Sequence, residues 1–143
     1  MAVFRKKELI LVMTPWRARS TITQGENEAF LYRVLESVTA SGFVPVAPTL
    51  LFNAYLDVRK PQDRFVAANL TTHLAAQCVN VLFALRDGDF PAGADPAMVS
   101  LWEWCRTHTH PARLLLCTQT GDILDNVKLT HDIEKPWDQV RRK

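Results

Sequence analysis

Apolar positions along this chain follow two rhythms: short continuous runs, and longer stretches in which they recur every third or fourth residue. The run Leu9-Ile10-Leu11-Val12-Met13 reads as a first strand, and it breaks into the polar loop Thr14-Pro15-Trp16-Arg17-Ala18-Arg19-Ser20-Thr21. Between Glu26 and Ser41, Phe30, Leu31, Val34, Leu35 and Val38 share a helical face, with Thr23 and Glu26 fitting a capping box and Gly42 as the stop. Phe43-Val44-Pro45-Val46-Ala47-Pro48 reads as a strand whose prolines place it at a sheet edge. Residues 49 to 62 lack periodicity and read as a long loop carrying part of the site. A second helix is expected from Asp63 to Gln77, with Phe65, Val66, Leu70 and Leu74 as its apolar face.

The nearly all-apolar run Val79 to Leu85 is expected to be a parallel strand covered on both faces. A turn-rich loop over 86 to 95 leads to a helix opened by Pro96 and ending near Arg106, and Arg113 to Cys117 reads as a fourth strand. Residues 118 to 143 hold no comparable strand and read as a C-terminal extension, a short helix or a docked arm. Strand and helix alternate, so the chain reads as α/β: a flavodoxin-like, Rossmann-like, doubly wound parallel sheet of four to five strands in a single domain over residues 1 to 143. With strand 2 at the edge the order is 2-1-3-4, and the loops at 14 to 25 and 86 to 95 flank the switch point where such sheets bind ligands.

Composition narrows the class. At 143 residues, 48% of them hydrophobic and 22% charged, the chain suits a packed globular domain. A net charge of +2 gives no ground for nucleic acid or an anionic membrane as partner. Cys78, Cys105 and Cys117 form an odd set without C-x-x-C spacing and read as reduced core thiols. Neither a secretory signal nor a bilayer-spanning run is legible, so the expected address is cytoplasmic, with no membrane partner.

Two arginines in the first loop, Arg17 and Arg19, are candidates to clamp a phosphate or carboxylate, with two solvated surface charges as the alternative. Trp16 either stacks on a ligand ring, covers the cleft, or packs beside its proline. Asp87 and Asp89 either meet a ligand hydroxyl across the cleft or serve the turn. Glu103 is either an acid held in an apolar pocket between Trp102 and Trp104 or a surface glutamate flanked by packing tryptophans. His108 and His110 alternate at a helix end without a third ligand at recognisable spacing, which reads as a helix cap rather than a metal site. His73 reads as a helix boundary residue.

The Pro15-Trp16-Arg17 loop, the stretch Ser41-Gly42-Phe43-Val44-Pro45-Val46-Ala47-Pro48-Thr49-Leu50-Leu51-Phe52 with Leu56-Asp57 downstream, and the Leu74-to-Cys78 helix end before an apolar strand together resemble the nucleoside 2-deoxyribosyltransferase-like superfamily. The resemblance spans roughly residues 8 to 117 and points to its small bacterial and phage members of uncharacterised function. It implies a homo-oligomer that binds a nucleoside or nucleotide and cleaves or exchanges an N-glycosidic bond, as a transferase or a hydrolase, without metal or cofactor. Such chemistry requires a carboxylate nucleophile and a second acid. One register, anchored on Met98, puts the nucleophile position on Leu101; the other, counted back from strand 4, puts it on Glu103. The supporting aspartate has no direct match, and Asp57 and Asp63 are the nearest acids. Arg17 matches a substrate-holding arginine and Asn27 an asparagine of the phage-type members. The resemblance thus names Glu103 and Asp57 as catalytic, with Thr14, Pro15, Trp16, Arg17, Arg19, Asn27, Asp87 and Met98 at the ligand. A non-catalytic nucleotide sensor or sequestering protein with a degenerate site is the alternative.

Overall fold

Each apolar run forms a strand, and each periodic stretch a helix. In the computed structural model, which describes residues 8–16, 23–57, 59–86, 96–135 and 137, the elements run β1 (Leu9–Met13), α1 (Gln24–Ala40), β2 (Val44–Val46), α2 (Pro48–Asn53), α3 (Pro61–Ala76), β3 (Asn80–Arg86), α4 (Pro96–Thr107), β4 (Ala112–Cys117) and β5 (Ile123–Lys128). They build an α/β fold around one five-stranded sheet of order β2-β1-β3-β4-β5. The pairs β1·β2, β1·β3 and β3·β4 are parallel, and β5 returns antiparallel to β4.

The sheet buries both faces. Leu11, Met13, Val81, Phe83 and Leu114 pack with Ala75 of α3 and Met98, Leu101 and Trp102 of α4. Ile10, Val12, Leu82 and Leu115 pack on the other face with Phe30, Leu31, Val34 and Val38 of α1. This two-sided burial is why the central strands are continuous apolar runs and not alternating ones. All three cysteines are buried free thiols, and burial pushes the Cys105 thiol up to about 12.

α1 starts as its capping box requires: the Thr23 hydroxyl accepts from the Glu26 amide at 3.1 Å. It stops at Gly42, whose φ of +92° suits glycine.

The structure corrects three expectations. Residues 48 to 53, within and just before the expected loop, form the short helix α2, with Pro48 in its first turn and Phe52 buried. The C-terminal extension contributes a strand, β5, which alternates half-covered and exposed positions at the sheet edge and so shows no apolar run. Its turn depends on Gly121 at φ +96°, where an added Cβ would lie 2.5 Å from Cγ of Arg33, whose Nη2 donates to Asp122 at 3.0 Å.

The third correction is the rotation of α3. Its buried residues are Thr71 and Ala75, Phe65 and Val66 are exposed, and Leu70 and Leu74 are only half-covered. The fully buried positions of this helix are small residues, and of its large ones Leu74 packs against the core only in part.

Candidate functional site

A cleft with a cavity of about 250 Å³ opens beyond the carboxyl end of β1. This is where parallel sheets place ligands, because the crossover connections separate there. Its floor comes from Met13 and Thr14 at the end of β1 together with Leu101 of α4. Trp16 follows on the strand side, α2 lends Pro48, Thr49, Phe52 and Asn53, and the first turns of α4 lend Pro96, Ala97 and Ser100.

The remaining wall is α3. Arg64, Ala67, Ala68, Thr71 and Thr72 fall at helical spacing on one stripe, and all of them line the cleft. The alanines leave the space that larger side chains would fill. Among the described residues the lining is therefore apolar in the main, with a few hydroxyl and amide groups and one guanidinium. That make-up suits a flat organic ring bearing a few polar atoms.

Two polar groups stand out. Thr14 is 1% exposed, and its Oγ1 is buried without a hydrogen-bond partner among the described residues. Leaving such a group unsatisfied costs about 1–3 kcal/mol, which makes Thr14, a residue that lines the cleft, a candidate ligand contact. Arg64, at the exposed rim, makes no side-chain hydrogen bond or ion pair among the described residues.

Of the residues singled out in the sequence, Thr14 and Trp16 line the cleft. Pro15, although buried, does not line it. Asn27 is wholly buried beside the cleft and is bonded to protein: its Nδ2 donates to the Trp16 carbonyl at 3.0 Å, and its Oδ1 accepts from Nη2 of Arg86. Arg86, 1% exposed at the end of β3, lays its guanidinium 4.7 Å from the centroid of the Phe30 ring. Asn27 thus fixes the first loop to α1 and β3 rather than presenting its amide to a ligand. Met98 packs in the core under α4 and leaves the lining to its helical neighbours. Arg17, Arg19, Asp87 and Asp89 lie outside the described residues.

The two candidate catalytic carboxylates are not brought together in the cleft. Glu103 sits on the exposed side of α4, where both its oxygens accept from Nη1 of Arg106, at 3.1 and 3.3 Å. The apolar pocket between the tryptophans does not form: Trp102 is buried and donates its indole N–H to the Ile133 carbonyl at 3.0 Å, while Trp104 stacks on His108. Asp57 lies in the α2–α3 connection, and both its oxygens accept from Arg59. The Arg59 guanidinium holds that carboxyl below the usual range. Asp63 is also engaged structurally, accepting from the Asp57 amide at 2.8 Å. None of these acids lines the cleft.

His108 and His110 lie at the C-terminal end of α4, remote from the cleft, which takes that helix's first turns. His108 donates its Nδ1 hydrogen to the Trp104 carbonyl at 2.9 Å, as a helix-end cap does. Among the described residues no three His, Cys, Asp or Glu side chains converge as metal ligands, and no helix is long and apolar enough to cross a membrane.

The α3 stripe is the lining that sequence reasoning missed, whereas Thr49, Phe52 and Asn53 of α2 fall in the 49 to 62 stretch expected to carry part of the site. The signal was present as Arg64, Ala67, Ala68, Thr71 and Thr72 at spacings of three and four, but a stripe of small and polar residues reads as a solvent face until the fold turns it inward. No protein-family model matches this chain, and no curated protein matches it.

Proposed function

We propose that this protein binds a nucleoside or nucleotide in the cleft between β1, α2, α3 and α4, as a sensor or sequestering protein. The observation that carries this reading is a ring-sized, mainly apolar cavity at the sheet's switch point, lined by Thr14, whose buried hydroxyl has no partner among the described residues. A nucleobase offers both things such a site lacks, a flat apolar face and a polar edge that satisfies a buried hydroxyl.

The resemblance of the first loop and the β2 stretch to deoxyribosyltransferase-like proteins favours a second reading, cleavage or exchange of the N-glycosidic bond. It requires a carboxylate at the anomeric carbon. Glu103 and Asp57 are instead committed to Arg106 and Arg59 outside the cleft, which is why binding without turnover is the reading preferred.

The test is incubation of the purified chain with a panel of deoxynucleosides and their 5'-monophosphates. Thermal stabilisation is followed alongside chromatographic detection of free base, for wild type and Glu103→Ala. Stabilisation without base release is the expected result. Base release that disappears in Glu103→Ala would establish the enzyme instead, and a panel in which no compound raises the Tm and no base is released would sink both readings.

A further inference from the structure

Resting on the nucleotide reading, we infer that the cleft selects the 5'-monophosphate over the nucleoside, through a phosphate contact at Arg64. The cavity of about 250 Å³ is near the lower end of ligand sites, roughly 300 Å³. It takes a base and leaves the rest of a nucleotide to extend toward the rim.

The two ends of the cleft differ in chemistry in the way such a ligand does. Thr14, almost wholly buried, holds a neutral hydroxyl that has no partner among the described residues. Arg64, exposed at the opening, offers a guanidinium whose fork matches two phosphate oxygens. It is the single charged side chain among the described lining residues, and no carboxylate among them offsets it. Asp63, its neighbour on α3, is engaged with the Asp57 amide. The first turn of α4, at Pro96 and Ala97, adds the positive end of a twelve-residue helix to the same opening.

The experiment is calorimetric titration of wild type, Arg64→Ala, Arg64→Lys and Thr14→Val with a deoxynucleoside, its 5'-monophosphate, and phenyl phosphate, at low and high salt. For wild type the monophosphate should bind about tenfold more tightly than the nucleoside, as one charge-assisted pair contributes. Salt should shrink that margin. Arg64→Ala should remove the margin between monophosphate and nucleoside, and Arg64→Lys should restore part of it. Thr14→Val should weaken both ligands by the same factor.

Equal affinity for nucleoside and monophosphate, or a margin that survives Arg64→Ala, overturns the phosphate contact and leaves nucleotide binding standing. Phenyl phosphate bound in an Arg64-dependent way, with neither nucleoside nor monophosphate bound, keeps the anion contact and overturns the nucleotide reading. If none of the three binds, both fall.

Discussion

Asn27 shows how a residue placed correctly near a site can have a different task there. Its amide is used at both ends inside the protein, donating to Trp16 and accepting from Arg86, so it holds the first loop against the ends of α1 and β3. Truncating it strips partners from a buried guanidinium and a backbone carbonyl. Asn27→Ala should therefore lower stability by about 1–3 kcal/mol, seen as a shift in the urea midpoint with little change in slope. An unchanged midpoint would mean that these bonds add nothing beyond those made to water in the unfolded chain. Thr14 is the converse case. Its sequence position at the end of β1 marked it as a candidate, but only burial without a partner distinguishes it from any loop threonine.

Among the elements, α3 diverges furthest from its sequence pattern. Periodicity gives the correct helix and nearly the correct ends, yet the helix is rotated so that Thr71 and Ala75 are buried and Phe65 is exposed. A hydrophobic stripe identifies the buried face only when the helix packs flat on a sheet. Here the inward face borders a cleft, and small side chains leave it room. The α4 terminus shows another tertiary effect. His110 lies beside Trp104, the Cys78 backbone carbonyl, His108 and His131, and its own carbonyl accepts from Nε2 of His131 at 2.7 Å. Burial pushes its imidazole pKa down, the Cys78 carbonyl offsets part of this, and the two other histidines add to the lowering.

The charged groups around these rings are Arg106, which donates to the His131 carbonyl and pairs with Glu103, and Asp132, whose carboxyl is held low chiefly by hydrogen bonds to Thr130 and its own backbone. With its pKa lowered, His110 binds fewer protons folded than unfolded. Its contribution is thus complete above the unfolded value of about 6.5 and is lost as pH falls from there through the lowered folded value. A Tm that declines over that window, and declines less in His110→Gln, is the expected outcome. Parallel pH profiles for the two proteins would remove His110 as the cause.

For the molecule as a whole, the residues after β4 complete the sheet and the core. β5 covers the β4 edge, and the segment behind it returns over the α4 face, where Leu129 and Trp137 are buried and Trp137 meets Phe83 edge to face at 6.0 Å. Trp102 donates to Ile133 and stacks with His131, which fastens this arm to α4. Trp137→Ala should cost about 3–5 kcal/mol and lower the Tm by many degrees, as removal of a large core aromatic does. A loss below about 1 kcal/mol would show that the arm rests on the core without supporting it.

The sequence by itself determined the α/β class, the positions of β1, β3 and β4, the capped start of α1 and the edge position of β2. Those features depend on local patterns: continuous apolar runs, side chains three and four apart, a capping threonine, prolines that cannot donate. It also pointed to the end of β1, where the cleft opens, because strand order fixes where a parallel sheet separates. Only the tertiary structure decided that β5 joins the sheet, that α3 turns its small residues inward, and that Glu103 and Asp57 pair with arginines outside the cleft. These depend on contacts between residues far apart in the chain or on how far a helix is rotated. Neither leaves a periodic trace, because an edge strand, a cleft wall and a solvent face present the same mixture of small and polar side chains along the sequence.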